Sequence, residues 1–409
     1  MLLSIVGGWF PSPTARRLYI WRGGFFVKSV GIMSMQRIHN YGSTLQAYSL
    51  RRLIEEVVPG TQVSFRDYRK GSVLVHDASA PSSKFGRVIS KLREYNAVDA
   101  PLRDRLRFFD HKRSYARRYF PAVGIEPTPN YDLNLDCQVI GSDEVFNCVQ
   151  SNTNVGYSRD LFGHGTPARR LISYAASFGN TTYAKICSAG IEANISADLA
   201  RFDALSVRDR NSREIINRLI GLEAQIHVDP ALAYDLVNDK HVPSGRLHAD
   251  PYIIVYGYSG RLASDENAAL RDFARRAGAK ILTFGGVQEC GDAFVECSPF
   301  ELLAYFRDAL AIVTDTFHGT IFSIINHRPF GTIIRTSTAG SYGNEEKLSY
   351  LLESFGLASR RITSAQMIDD LLLTPVDDTA IDALLLTERR RSKKYLAENV
   401  IATTNQELP

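Results

Sequence analysis

Short apolar runs alternate along the chain with longer segments in which apolar residues recur every three or four positions. Residues 25–33 form the first run and predict a β-strand, and Leu45, Tyr48 and Leu53 then lie on one helical stripe within residues 43–58. Further strands are predicted at 137–141, 171–178 and 204–207, with a helix at 183–194. This alternation predicts a parallel sheet with right-handed crossovers.

A second series of the same kind begins after residues 236–251, which lack periodicity and are interpreted as a linker. Its predicted elements are strands at 252–258, 280–284, 310–314 and 330–334, and helices at 265–277, 299–308 and 320–326. The pattern therefore predicts an α/β protein with two domains, at 25–235 and 252–376. Residues 1–24 are interpreted as an atypical N-terminal extension and residues 377–409 as a helical tail.

Polar residues follow the carboxyl ends of several predicted strands. Asp143 comes soon after the strand at 137–141, and Arg208 directly follows the strand at 204–207. In a parallel α/β sheet, residues at these ends line the ligand crevice, so Asp143 is a candidate site residue. Arg208 has the same position, although an arginine in such a place is more often a surface residue that caps a turn.

His318 is the most informative single position. It follows the strand at 310–314 and precedes Gly319, and the helix is predicted to begin at residue 320, which places His318 in a strand-to-helix loop. A lone histidine is usually structural, but the adjacent glycine allows a close backbone approach at this strand end and favours a site. A second loop, at 39–43, opens onto a helix N-terminus and is either an anion site or, on the pattern alone, an ordinary N-cap.

Composition limits the class of protein. The chain has 409 residues, of which 44% are hydrophobic and 22% are charged, which is typical of a globular protein of two or three domains. The net charge of +4 is too small for a protein that coats nucleic acid. The five cysteines form no C-x-x-C pair and the nine histidines no zinc-ligand cluster, so we expect a reducing compartment and no metal site.

No stretch approaches the roughly 18 consecutive apolar residues of a membrane-spanning helix, and the apolar run at 1–10 lacks the preceding basic residues of a signal peptide. We therefore expect a cytoplasmic protein. Residues 82–120 are rich in Lys and Arg at helical spacing. They form either a solvated helical face or a surface for peripheral contact with the inner face of an anionic membrane or a lipid-diphosphate-linked substrate.

Several short motifs resemble, in order and approximate spacing, those of the polysaccharide pyruvyl transferase family. The matching residues are Asn40-Tyr41-Gly42, Leu45-Gln46-Ala47-Tyr48, Val139 to Asn147, Ser173 to Gly179, Ser206-Val207-Arg208, Val228-Asp229-Pro230 and Thr314 to Thr320. Each motif is weak alone, but together they are a strong family signal. The resemblance extends from about residue 30 to residue 396.

The resemblance implies transfer of a carboxyvinyl unit from phosphoenolpyruvate to two hydroxyls of one sugar, which leaves a cyclic pyruvate ketal and releases phosphate. The acceptor would be a polysaccharide, a cell-wall glycan or its precursor, lipid-linked or free. No cofactor is implied, since phosphoenolpyruvate is itself the donor. The implied fold is of the GT-B type, with two Rossmann-like domains facing a central cleft, in agreement with the two series of elements.

The resemblance also implies roles for particular residues. His318 would be the general acid or the partner of the leaving phosphate, Arg208 a cation for the donor, and Asp143 a base or an orienting group for the acceptor hydroxyl. The candidate substrate-binding residues are Asn40, Tyr41, Gly42, Ser142, Thr316, Gly319, Arg335 and Lys347. Thr316 stands where some members have an arginine, so another cation, Lys347 or Arg335, is expected to compensate.

The sequence is also compatible with two other functions. A GT-B glycosyltransferase would bind a nucleotide sugar, and Glu289 or Glu296 near Gly285 would then hold the ribose. A sugar-binding or scaffold protein that has lost its activity is the third class, and through the resemblance the retention of Asp143, Arg208 and His318 argues against it.

Overall fold

The computed structural model describes residues 27–75, 98–335 and 345–401. The predicted extension at 1–24 and the basic residues at 82–97 therefore lie outside the described residues. The first unit is a sheet of six parallel strands in the order β2-β1-β3-β4-β5-β6. These strands are β1 Ser29–Met33, β2 Gln62–Phe65, β3 Cys137–Asp143, β4 Arg170–Ala176, β5 Ser206–Val207 and β6 Gln225–Ile226.

The second unit is also a sheet of six parallel strands, in the order β12-β11-β10-β7-β8-β9. Its strands are β7 Tyr252–Tyr256, β8 Lys280–Phe284, β9 Ala293–Phe294, β10 Ile312–Thr314, β11 Phe330–Ile333 and β12 Arg361–Ile362. The strand order reverses between β1 and β3 in the first sheet and between β7 and β10 in the second. Ligands of open parallel sheets bind at such switch points, beyond the carboxyl ends of the strands.

Helices connect the strands and cover both sheets. Those of the first unit are α1 Tyr41–Val57, α2 Leu102–Val123, α3 Tyr183–Ser188, α4 Glu192–Leu199, α5 Arg210–Ile220 and α6 Pro230–Ala233. Those that follow are α7 Ser264–Arg276, α8 Pro299–Asp308, α9 Phe317–Ile325, α10 Glu345–Ser354, α11 Ile368–Leu373 and α12 Asp378–Ile401. Single turns of 3₁₀ helix lie at Arg159–Phe162, Leu236–Asn238, Ala358–Arg360 and Ala365–Met367.

The last helix, α12, returns to the first unit, where the Tyr395 hydroxyl donates a hydrogen bond to the Ser173 carbonyl oxygen at 2.8 Å. The two units also pack directly on each other: the rings of Tyr48 and Phe300 meet edge to face, with their centroids 5.0 Å apart. One apolar cluster contains residues of both units. The predicted GT-B-like arrangement of two Rossmann-like sheets is thereby confirmed. Within the described ranges, no helix is long and apolar enough to cross a membrane.

Some element boundaries differ from the prediction. Strand 280–284 and helix 299–308 are as predicted, but α9 begins at Phe317, so the placement of His318 in a loop before the helix was wrong. The apolar run begins only at Thr320, whereas Thr316 already caps the helix by accepting a hydrogen bond from the Gly319 N–H at 3.0 Å. The predicted helix 183–194 is two helices, because Gly190, with a positive φ of 67°, interrupts it.

Candidate active site

A cleft of about 450 Å³ lies between the carboxyl ends of the two sheets, at both switch points. Asp143 ends β3 on one side, and Thr316 follows β10 on the other. Arg208 and His318 also line this cleft, although they come from different units. The three predicted catalytic residues are therefore close together.

Arg208 is buried and bridges two carboxylates. Its Nη1 donates a hydrogen bond to Asp229 Oδ2 at 3.0 Å, and its Nη2 donates to Asp143 Oδ1 at 3.2 Å. The guanidinium also lies over the Phe317 ring, 4.2 Å from the ring centroid. Burial acts to lower the pKa of Arg208, but Asp143 and Asp229 outweigh it and raise the pKa above its usual value. Arg208 is thus a fixed cation within the protein rather than a surface residue that caps a turn.

Asp143 is held in place from two sides. Its Oδ1 accepts the hydrogen bond from Arg208, and its Oδ2 accepts one from the Ser43 hydroxyl at 2.9 Å. The backbone of Asp143 has a positive φ of 73°, a conformation that aspartate tolerates better than most residues. Its neighbour Ser142 is fully buried, and the Ser142 hydroxyl donates to Asp229 Oδ2 at 3.1 Å. Ser142 therefore holds the Asp229 carboxylate and does not line the cleft.

His318 faces a buried carboxylate. Its Nε2 lies 3.6 Å from Asp229 Oδ2 and is itself buried with no hydrogen-bond partner. Burial acts to raise the pKa of Asp229, but His318 and Arg208 outweigh it, and the pKa is lowered to about 2. The Nε2 edge of the imidazole ring therefore faces an ionised carboxylate.

Gly42 lies against the His318 imidazole ring on another side. A Cβ atom at residue 42 would lie 2.3 Å from both Cγ and Nδ1 of His318. Only glycine allows the first turn of α1 to approach α9 this closely. The Asn40-Tyr41-Gly42 motif and His318 are therefore parts of one contact between the two units.

Gly42→Ala is expected to destabilise the protein by about 1–3 kcal/mol and to lower its activity, since the new methyl group must displace the His318 ring. Urea unfolding and the transfer rate measure the two effects. Gly245→Ala is the matched control, because a Cβ at this exposed glycine would meet no atom within 4 Å. Equal stability of the two variants would contradict the contact between Gly42 and His318.

Three further cations line the cleft. Lys347 Nζ, on α10, donates to Glu144 Oε1 at 2.8 Å. Burial opposes ionisation of Glu144, but Lys347 and Arg208 together lower its pKa to about 2. Arg261 lies over the Tyr258 ring, 4.3 Å from the centroid, and its Nη1 is 3.6 Å from Asp315 Oδ2. The third cation is Lys112, whose ammonium group donates to the His39 carbonyl oxygen.

The remaining candidates are placed as follows. Asn40 is the N-cap of α1, since its Oδ1 accepts a hydrogen bond from the Ser43 N–H at 2.7 Å. Tyr41 lines the cleft, but its hydroxyl donates to the Cys297 carbonyl oxygen at 3.1 Å. Thr316 lines it as the cap of α9, whereas Gly319 is buried and its N–H is already bonded to that cap.

Arg335 stands apart from the other candidates. Its guanidinium forms two hydrogen bonds with the Glu266 carboxylate, at 2.8 Å and 2.5 Å, and it is not among the residues that line the cleft. Of the two cations considered as a replacement for the arginine absent at position 316, the structure brings only Lys347 to the cleft.

Sequence reasoning assigned no role to three residues with functional geometry, namely Asp229, Glu144 and Arg261, although the first two lie within the family motifs. Asp229 comes after β6 and immediately precedes Pro230. This Asp-Pro pair marks a helix start as well as a strand end. Glu144 lies next to Asp143 in the chain, so the same strand end could have identified it. Arg261 lies in a polar segment after β7 with no pattern of its own.

Both carboxylates considered for holding a ribose are paired with arginines. Glu289 Oε1 accepts a hydrogen bond from Arg271 Nη2 at 3.0 Å, and Glu296 forms an ion pair with Arg118. Neither carboxylate is among the residues that line the cleft. Among the described residues, no group of three His, Cys, Asp or Glu side chains is placed to hold a metal ion.

Comparison with known proteins identifies one family and several distant structures. The family model for polysaccharide pyruvyl transferase matches residues 40–337. UDP-GlcNAc 2-epimerase of Methanocaldococcus jannaschii, solved with UDP-GlcNAc and UDP, has 11% sequence identity and a TM-score of 0.46, with coverage of 91% of this chain and 99% of that chain.

An O-GlcNAc transferase mutant of Thermobaculum terrenum has 14% identity and a TM-score of 0.39, and the match covers 91% of this chain and 64% of that chain. The chain thus spans less than two thirds of that transferase. No curated protein sequence matches significantly. With TM-scores below 0.5, the structural likenesses carry no statement about activity.

Proposed function

The chain belongs to the polysaccharide pyruvyl transferase family, and from this premise we propose that it transfers the carboxyvinyl unit of phosphoenolpyruvate to two hydroxyls of one sugar. The products are a cyclic pyruvate ketal and phosphate, and the sugar belongs to a polysaccharide, a cell-wall glycan or a precursor of one. The observation that carries the proposal is the His318 imidazole, which faces buried Asp229 in a cleft that several cations also line.

The donor requires positive charge, because phosphoenolpyruvate carries a phosphate and a carboxylate. Arg208 is already shared between two carboxylates, so we assign it to positioning Asp143 and Asp229. Lys347 and Arg261 then supply charge to the donor. Burial raises the pKa of Asp315, whose Oδ2 lies 3.6 Å from Arg261 Nη1, and this weakens its competition with an anionic ligand for that guanidinium.

The chemistry begins with a proton on the His318 imidazole, which passes to the methylene carbon of phosphoenolpyruvate. The neighbouring carbon becomes oxocarbenium-like, and the first sugar hydroxyl adds to it and loses its proton. The bond from this carbon to the phosphate oxygen then breaks, and the second hydroxyl adds. One of the two hydroxyl protons restores His318 and the other leaves with the phosphate.

Two carboxylates support these steps. Asp229 positions the His318 ring, because its carboxylate oxygen Oδ2 lies 3.6 Å from Nε2. Asp143 orients the acceptor hydroxyl from the wall of the cleft. The reaction changes no overall oxidation state, so we propose that it needs no redox cofactor.

Calorimetric binding of phosphoenolpyruvate tests the donor assignment. We expect Lys347→Ala to weaken binding by about ten- to a hundred-fold, because it removes one charge-assisted contact. Lys394→Ala, on the exposed face of α12, is the control and should bind as the parent protein does. Binding of UDP-GlcNAc without any response to phosphoenolpyruvate would instead support the glycosyltransferase function.

A further inference from the structure

Helix α2 exposes three large apolar side chains on one face. Leu102, Leu106 and Phe109 are 63%, 61% and 45% exposed. Their spacings of four and three residues put them on the same side of the helix, where they form a continuous stripe of about two turns. Exposed apolar residues that occur singly need no explanation, but a contiguous stripe of this kind marks an interaction surface.

The opposite face of α2 fixes the helix to the protein. Phe108 and Tyr115 are buried there, and the Phe108 ring meets Phe294 of the second unit edge to face, with centroids 5.4 Å apart. His111 is buried on the same side and contacts Tyr41 with its ring. Among the described residues, the inner face therefore accounts for the packing of α2.

Positive charge accompanies the stripe. Helix α2 contains seven Lys and Arg residues but only two Asp. Arg107, Arg113 and Arg117 are exposed, whereas Arg103 pairs with buried Asp104 at 3.3 Å and Asp110 pairs with Arg118 at 3.1 Å. The outer face thus combines leucine and phenylalanine with uncompensated positive charge, as do helices that lie in the headgroup region of anionic membranes.

We infer that the outer face of α2 is a docking surface for an anionic phospholipid bilayer. Leu102, Leu106 and Phe109 enter the boundary between headgroups and acyl chains, and the exposed arginines contact the lipid phosphates. The same helix lines the catalytic cleft through His111 and Lys112. Docking through α2 therefore keeps the cleft close to the membrane surface, where a lipid-linked acceptor would be found. Only this last point rests on the proposed function.

Flotation of the full chain with phospholipid vesicles tests the inference. We expect binding to vesicles that contain phosphatidylglycerol, at least about ten-fold weaker binding to phosphatidylcholine alone, and loss of binding at high salt. The double variant Leu106→Gln/Phe109→Gln should lower partitioning by at least about ten-fold. Arg113→Gln and Arg117→Gln should each lower it about five-fold.

Leu386→Gln is the matched control, since Leu386 on α12 is 50% exposed without such a stripe. It should leave vesicle binding unchanged. Phosphoenolpyruvate binding should be the same in all these variants, so failure of the docking inference is distinguishable from failure of the proposed function. Absence of vesicle binding at low salt would overturn the inference. So would a dimer in solution that Leu106→Gln/Phe109→Gln dissociates, because a second copy would then cover the stripe.

Discussion

His318→Gln is expected to lower the rate of pyruvyl transfer by about 10²–10⁴-fold while phosphoenolpyruvate binding changes little. Glutamine preserves much of the volume of the side chain next to Gly42 and a donor toward Asp229, but it cannot deliver a proton to the methylene carbon. Single-turnover rates with phosphate release as the readout measure the chemical step, and calorimetry measures binding.

His164→Gln is the control for this substitution. His164 Nδ1 also lies beside a buried carboxylate, 3.0 Å from Asp198 Oδ1, but it is half exposed and lies away from the cleft. We expect the His164 variant to transfer at the parental rate. A His318→Gln protein with a normal rate would exclude His318 as the acid.

The sequence predicts the architecture well because the signals are local. Strand 280–284 and helix 299–308 are recognisable from apolar periodicity, and the Ser298 side chain caps the latter helix. The edge strands β6 and β12 were missed because two residues are too few to establish an alternating pattern. Those strands exist because they pair with a neighbouring strand, which is a tertiary property.

Only part of the site could be predicted from the sequence, because the rest also depends on tertiary contacts. Strand ends identify Asp143 and Arg208 as neighbours of a crevice, but nothing local shows that Arg208 is buried between two carboxylates. Nor does the Asn40-Tyr41-Gly42 motif reveal that its glycine makes room for His318, because the two come from different units. The burial of a charged side chain depends on partners that are distant in the chain, so periodicity cannot report it.

These contacts make Arg208 an organising residue. Asp143 contacts α1 through Ser43, and Asp229 contacts His318 on α9. Arg208 holds both carboxylates and packs against Phe317, the residue before His318. A change at Arg208 should therefore affect stability and catalysis together.

Arg208→Met is expected to destabilise the protein by about 3–5 kcal/mol, because it leaves buried Asp229 and partly buried Asp143 without their shared cation. Arg208→Lys should lose less, since an ammonium group retains the charge but does not reproduce the planar fork that spans Asp143 and Asp229. Arg218→Met is the control, since its pair with Glu214 is exposed and should contribute no more than about 1 kcal/mol.

The pH dependence of the stability lost in Arg208→Met is a sharper test than the size of that loss at neutral pH. Asp229 has a lowered pKa, so the stability that its ionised form contributes is complete above the pKa of the unfolded chain, near 3.9, and is lost as the pH falls toward about 2. The difference in unfolding free energy between the parent and Arg208→Met should therefore shrink below about pH 4. Urea unfolding of both proteins between neutral and acidic pH measures it. A difference that stays constant over this range would mean that Arg208 acts through its packing on Phe317 and not through the carboxylates it bridges.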